Sequence, residues 1–278
     1  MSIKNILVAY NGLPGSEAAL SGAVLMQKYF DAHLTGLFAH GNPVLSRQTK
    51  QTWMPRKVQD AIIESADGPT ADIKQKFYEV CQDIPEKKLH WIDSGGPVQR
   101  TVAQYARLFD ITVLGMHETS NHHNLTHMEI HPDRVTFDSG RPVMTFPANY
   151  TGSVFDGRAV VAWDGGRAAA RALADAMQIL EAEAEVEIVS VGRSPLANSI
   201  PGIDVGTVLD RHDVKVILTE LPREKRPIAE TLVDHCEKIG ASLLVMGAYE
   251  HSPLREGLIG GVTHDIALNA KLPVLMSH

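Results

Sequence analysis

The chain carries one pattern twice. Lys4 to Gly12 reads KNILVAYNG, and Arg158 to Gly165 reads RAVVAWDG. Aligned at Ala9 and Ala162, both show an apolar run, an aromatic, Asn or Asp, then Gly. An Ala-rich amphipathic segment follows each, Ser16 to Phe30 and Ala168 to Leu180. Next come two β-type runs, LTGLFAH from Leu34 and VEIVSV from Val186. A buried-strand pattern ending in glycine then recurs, at Ile111 to Gly115 and Leu243 to Gly247. Each half closes on a Pro-Val strand, at Arg141 to Phe146 and Leu272 to Met276. Landmarks repeated in one order mean a duplicated unit. The turn-rich stretch Tyr150 to Gly157 reads as the linker, giving domains of 1–150 and 156–278.

Continuous apolar runs alternating with helical patterns predict an α/β fold, a parallel sheet with both faces covered. The third strands are expected at Lys88 to Ile92 and Val214 to Leu218. Helices opening at proline follow, Pro97 to Phe109 and Pro227 to Gly240. Five strands per half give two doubly wound parallel-sheet domains. Repeated units carry repeated surfaces, which pair with approximate two-fold symmetry. The two halves should therefore pack as an internal pseudo-dimer. The closing Pro-Val strands are candidates for the contact, because an edge strand needs covering. A further homodimer of the whole chain stays open.

At 278 residues, 44% hydrophobic and 21% charged, the chain is ordinary globular material, not disordered or fibrous. A net charge of −7 argues against general nucleic-acid binding, which rests on neutralising phosphates. Two cysteines, Cys81 and Cys236, build no disulfide framework, and each is expected to pack in the core. The N-terminus reads as a strand rather than a signal peptide, and no apolar stretch is long enough to span a membrane. A cytoplasmic protein is expected.

In open α/β sheets, ligands bind beyond the carboxyl ends of the strands. Two segments of the second half lie there. One is Ala162-Trp163-Asp164-Gly165; the other runs from Met246-Gly247 to Thr263. Gly260-Gly261-Val262-Thr263, opening a helix expected at His264 to Lys271, has the chemistry of an anion site: close backbone approach and helix N–H groups. Arg255 could pair with phosphate, and Asp164 could accept from a base amino group or a ribose hydroxyl. The same residues have plainer readings. The glycines suit turns, Asp164-Gly165 suits a helix N-cap, and Arg255 suits a solvated surface.

These residues resemble the universal stress protein family, in a tandem two-domain form. Its nucleotide-binding members carry Gly, two residues, Gly, nine residues, Gly, then Ser or Thr. Here Gly247 and Gly260 keep the first and third glycines, while Glu250 and Gly261 depart from the second and last positions. Asp164 falls where the family's first-strand aspartate lies. The resemblance implies a Rossmann-like, adenine nucleotide alpha hydrolase-like fold and a non-enzymatic stress-response protein. It implies ATP, AMP or a small phosphate-bearing ligand in the second half. Asp164 would then meet the base or ribose, and the Val191 backbone would line the base pocket. Gly247, Gly260, Gly261, Val262 and Thr263 would cradle phosphates. The first half departs further: Asn11 replaces the aspartate, Glu118 takes the second glycine position, and Pro132 replaces an N–H donor. It is expected to have lost the nucleotide. The alternatives are a weak nucleotide hydrolase, with Glu250 or His251 positioning water, and a ligand-free dimerisation scaffold.

His117, His122, His123, His127 and His131 crowd one stretch of the first half. If that stretch is helical, His123, His127 and His131 share a face and could chelate a transition metal. A solvated or interface loop is the expected reading. Asp93-Ser-Gly-Gly96 follows the wrong strand for a pyrophosphatase-type loop, and no Walker, Rossmann, nucleophile-elbow or zincin motif occurs.

Overall fold

The apolar runs become strands whose length and order follow the repeat. The computed structural model describes residues 3–41, 71–116, 130–148, 150, 157–197, 200–248 and 261–278. In the first half, β1 (Asn5–Ala9), β2 (His33–His40), β3 (Leu89–Gly95), β4 (Ile111–Gly115) and β5 (Val143–Phe146) alternate with helices. These are α1 (Pro14–Phe30), α2 (helical over 71–80), α3 (Val98–Ala106) and α4 (Pro132–Ser139). The second half runs β6 (Arg158–Ala162), α5 (Arg167–Leu180), β7 (Glu185–Val191), α6 (Val205–Asp210) and β8 (Val216–Leu221). It ends with α7 (Ile228–Ile239), β9 (Leu243–Gly247), α8 (Val262–Asn269) and β10 (Val274–Ser277).

The strands form one sheet in the order β3-β2-β1-β4-β5-β10-β9-β6-β7-β8. Each half is thus ordered 3-2-1-4-5, reversing between its first and fourth strands, as a doubly wound unit does. The two halves meet where β5 and β10 pair antiparallel, Met144 opposite Leu275. The other pairings given for the sheet are parallel. The Pro-Val strands are the seam, as the edge-strand argument expects.

Helices α1, α2, α5 and α6 cover one face. Their buried side chains join Ile6, Val8, Met144, Val161 and Leu275 in a core that runs through both halves without a break. The opposite face is divided. α3 and α4 cover Leu7, Leu114 and Val143 in the first half. α7 and α8 cover Val160, Leu244 and Met276 in the second. At the seam, Phe146 is fully buried, and a Cβ on Gly22 of α1 would strike its ring. Phe146 also lies 5.4 Å from the Tyr150 ring.

Several expected boundaries move. α1 begins at Pro14 and α5 at Arg167, earlier than the apolar periodicity suggests. Asp93, Ser94 and Gly95 are the last residues of β3 rather than a loop after it. α8 starts at Val262, so Val262 and Thr263 lie in its first turn and Gly261 is its N-cap, not three residues of a preceding loop. Apolar patterning marks the buried face of a helix and is silent on its polar opening turn.

Cys81 and Cys236 are free and buried, as expected, and burial pushes both thiols up to about 12. Neither should react with a thiol reagent such as DTNB at pH 8 in the native protein. Both should react once denaturant is added, which absorbance at the released dye's maximum would show. Phe146→Ala should cost about 3–5 kcal/mol in urea unfolding, because it empties a fully packed ring site at the seam.

Candidate functional site

The carboxyl ends of β6 and β9, where strand order reverses, face the opening of α8. Here the two halves can be compared residue by residue. Gly12 and Gly165 both adopt left-handed backbone, φ +75° and +76°. Before each stands an Asx turn. Leu13 N–H donates to Asn11 Oδ1 at 3.0 Å, and Gly166 N–H donates to Asp164 Oδ1 at 2.7 Å. Asp164 is therefore not the N-cap of α5; Gly166 is. Its short side chain folds onto the backbone two residues on, as Asx turns do.

Gly115 and Gly247 also have one job in common. A Cβ on Gly115 would lie 2.5 Å from the Gly15 backbone carbon, and one on Gly247 would lie 2.5 Å from that of Ala168. The first turn of α1 or α5 packs directly on the strand end there. Gly247, expected in the phosphate cradle, is thus already required for helix–strand packing.

The opening of the last helix differs between halves. In the first, His131 is the N-cap of α4 and Pro132 its first residue, without an N–H. Gln99 of α3 clamps the backbone of His131: its Oε1 accepts from His131 N–H at 2.8 Å, and its Nε2 donates to the His131 carbonyl at 3.3 Å. In the second half, Ala229 occupies the place of Gln99, two residues after the opening proline of α7. Gly261 caps α8 with extended backbone and no side chain, and among the described residues a Cβ there would meet nothing within 4 Å. Thr263 is buried behind it.

Around Asp164 the arrangement continues outward across the sheet. Trp163 N–H donates to the Val189 carbonyl at 2.8 Å, and Ser190 Oγ donates to the Trp163 carbonyl. Val191 ends β7 opposite Leu221, and Gly192 turns the chain at φ +77°. Arg193 then reaches back, its Nη2 donating to the Asp164 carbonyl. The aliphatic stem of Arg223 seats against Gly192, and its Nη1 donates to the Arg226 carbonyl at 3.1 Å. Neither arginine stands out in the sequence. Placing the turns after β2 and β3 against those after β7 and β8 could have exposed them.

Two contacts tie this crest to the first half. His278 Nδ1 donates to the Ala248 carbonyl at 2.7 Å, and its ring lies 4.8 Å from that of Phe137 on α4. His264 Nδ1 lies 3.8 Å from Asp133 Oδ2.

The structure thus brings together Asp164, Val191, Gly247, Gly261, Val262 and Thr263 at one edge of the sheet. Arg255 and Gly260 lie outside the described residues, as do Glu250 and His251. His123 and His127 of the expected metal face also lie outside. His131 is not on a helical face with them, because it stands in extended backbone before Pro132. Among the described residues, no group of three or more His, Cys, Asp or Glu is placed to hold a metal. Nor is any described helix long and apolar enough to cross a membrane.

Residues 157–278 match the model of the universal stress protein family. Among curated proteins, universal stress protein YxiE of Bacillus subtilis (strain 168) is 28% identical over 141 residues, covering 42% of this chain and 95% of its own. The crystal structure of a universal stress protein from Archaeoglobus fulgidus DSM 4304 superposes with a TM-score of 0.71 at 17% identity, covering 98% of this chain and 95% of that one. A structure from Pseudomonas aeruginosa PAO1 gives 0.54 at 14% identity, with 99% and 92% covered. The two superpositions establish a shared fold through both halves.

Gly247→Ala should lower stability by about 1–3 kcal/mol, the range for a methyl forced into a packed site. Gly261→Ala, in open space, should leave the thermal midpoint near that of the parent chain. Differential scanning calorimetry of the two variants side by side would check this.

Proposed function

Because this chain belongs to the universal stress protein family, we propose that its second half binds an adenine nucleotide, ATP or AMP, or a related phosphate-bearing ligand. The first half then acts as its scaffold, on domain limits of 1–150 and 156–278. The opening of α8 carries this reading. It presents the first turn of a helix behind a capping glycine with no side chain, on the crest where strand order reverses. Helix-terminal N–H groups with a positive dipole end favour an anion. Phosphate belongs there, on the backbone of Gly261, Val262 and Thr263. Gly260 and Arg255, outside the described residues, extend the same phosphate path in the sequence. Asp164 and the Val191 backbone stand toward β7 and take the sugar and base.

The contrast with the first half supports the assignment. Pro132 lacks the N–H that Val262 has, and Gln99 occupies the backbone just before it. The duplicated unit keeps its scaffold there while the donor set is withdrawn.

The test transplants that loss. Proline is well tolerated at the first helical position, and the extended backbone of Gly261 (φ −170°, ψ 166°) suits the residue before it. Val262→Pro should therefore fold normally while lacking one donor. Isothermal titration with ATP and AMP should show affinity reduced by about tenfold or more, since a hydrogen bond to a charged group contributes roughly 1.5–3 kcal/mol. Unchanged affinity in a variant with the parent's thermal midpoint would remove α8 from the site.

A further inference from the structure

An internal duplication supplies its own control. Features the scaffold demands recur at matched register: the left-handed Gly12 and Gly165, the Asx turns of Asn11 and Asp164, the close-packed Gly115 and Gly247. The hydrogen bonds Tyr10 N–H to Leu37 and Trp163 N–H to Val189 recur as well. Residues that differ at matched register answer to something else. With His33 opposite Asn5 and Glu185 opposite Arg158, the partner of Arg193 is Gly41. With Leu89 opposite Leu34 and Val216 opposite Val186, the partner of Arg223 is Gly96. The crest of the second half therefore has two arginines and an aspartate where the first has two glycines and Asn11. Crowding does not explain the difference at Gly41, where a Cβ would meet nothing within 4 Å among the described residues; at Gly96 it contributes, since a Cβ there would lie 2.9 Å from Thr101 Oγ1.

The arginines are also held in place. Gly192, in left-handed backbone, turns the chain so that Arg193 returns over the sheet to the Asp164 carbonyl. The Arg223 stem fills the outer side of that turn. An exposed arginine loses rotamer freedom when it is tied down this way. Gly41, the twin of Arg193, has no side chain to make such a tie.

Resting on the nucleotide reading above, we infer that Arg193 is a specificity-determining residue of that site. Its guanidinium plane packs on the ligand's heterocyclic base and makes the crest select nucleotides over free polyphosphate. Position argues for the base. α8 follows β9, while Arg193 follows β7, two strands away and so about 10 Å across the sheet. A phosphate at the opening of α8 leaves the other end of a nucleotide beside Asp164, Val191 and Arg193. Charge argues the same way. Arg193 donates to the Asp164 backbone and sits beside that residue's carboxylate, which opposes a phosphate on Arg193 itself. A guanidinium anchored by one N–H keeps both flat faces for an aromatic ring, and arginine stacks well on such rings.

The experiment measures binding of ATP, AMP and inorganic tripolyphosphate to the full chain, as the parent, Arg193→Ala and Arg193→Lys. Arg193→Ala should weaken ATP and AMP by the same factor, about 5- to 30-fold. It should leave tripolyphosphate unchanged. Arg193→Lys, which keeps the charge but loses the plane, should not restore the loss. A merely structural role would not separate nucleotide from tripolyphosphate. Unchanged ATP affinity overturns the inference. So does a loss shared by tripolyphosphate and larger for ATP than for AMP, which would make Arg193 a phosphate contact. Failure of the parent chain to bind either nucleotide would instead sink the nucleotide reading itself, and this inference with it.

Discussion

Four residues from each half, Val143–Phe146 and Val274–Ser277, lie side by side at the centre of the sheet, and all eight are buried. Without this antiparallel pairing, each half would end in an unpaired apolar edge, an invitation to aggregation. With it, both edges vanish and the core beneath α1 and α5 becomes continuous. The seam also sets the orientation of everything else. Because it is antiparallel and the other pairings within the sheet are parallel, the carboxyl ends of the two sets of strands point in opposite senses along the sheet. The two crests do not share one opening, and each is free to diverge from the other.

Divergence is visible where packing does not forbid it. Gly115 and Gly247 cannot carry a side chain, since α1 and α5 lie against them. The first position of the family's glycine signature thus has a mechanical reason that holds whether or not a ligand binds. The third position is different. Its neighbour Gly261 meets no other side chain or backbone among the described residues, and the matching place in the first half is His131 followed by proline. One glycine serves the fold in both halves; the other is kept in one half alone.

The strands and their doubly wound alternation with helices were legible in the sequence, as matters of apolar periodicity and turn residues, and the need to cover an edge strand pointed to the Pro-Val strands as the seam. The burial of Cys81 and Cys236 was legible for the same reason. The opening of α8 was read two residues late, as first-turn residues need not face the core. The spacing of His123, His127 and His131 makes one face only in a helix, and Pro132 holds His131 in extended backbone, in keeping with the expected loop there. Gln99, Arg193 and Arg223 belong to no local pattern. Each acts on a residue far away in sequence, or in a turn whose direction is set by a left-handed glycine.

By itself, the amino-acid pattern determined that this protein is a duplicated α/β unit whose two halves join through their last strands. Hydrophobic period and turn chemistry are local, and a repeat announces itself without coordinates. Only the tertiary structure decided which glycine of the crest is fixed by packing and which is not, and which helix opening is clamped. It alone showed that Arg193 returns to the Asp164 carbonyl while the stem of Arg223 backs the Gly192 turn. Those are distances between residues brought together by the sheet, and no local pattern contains them.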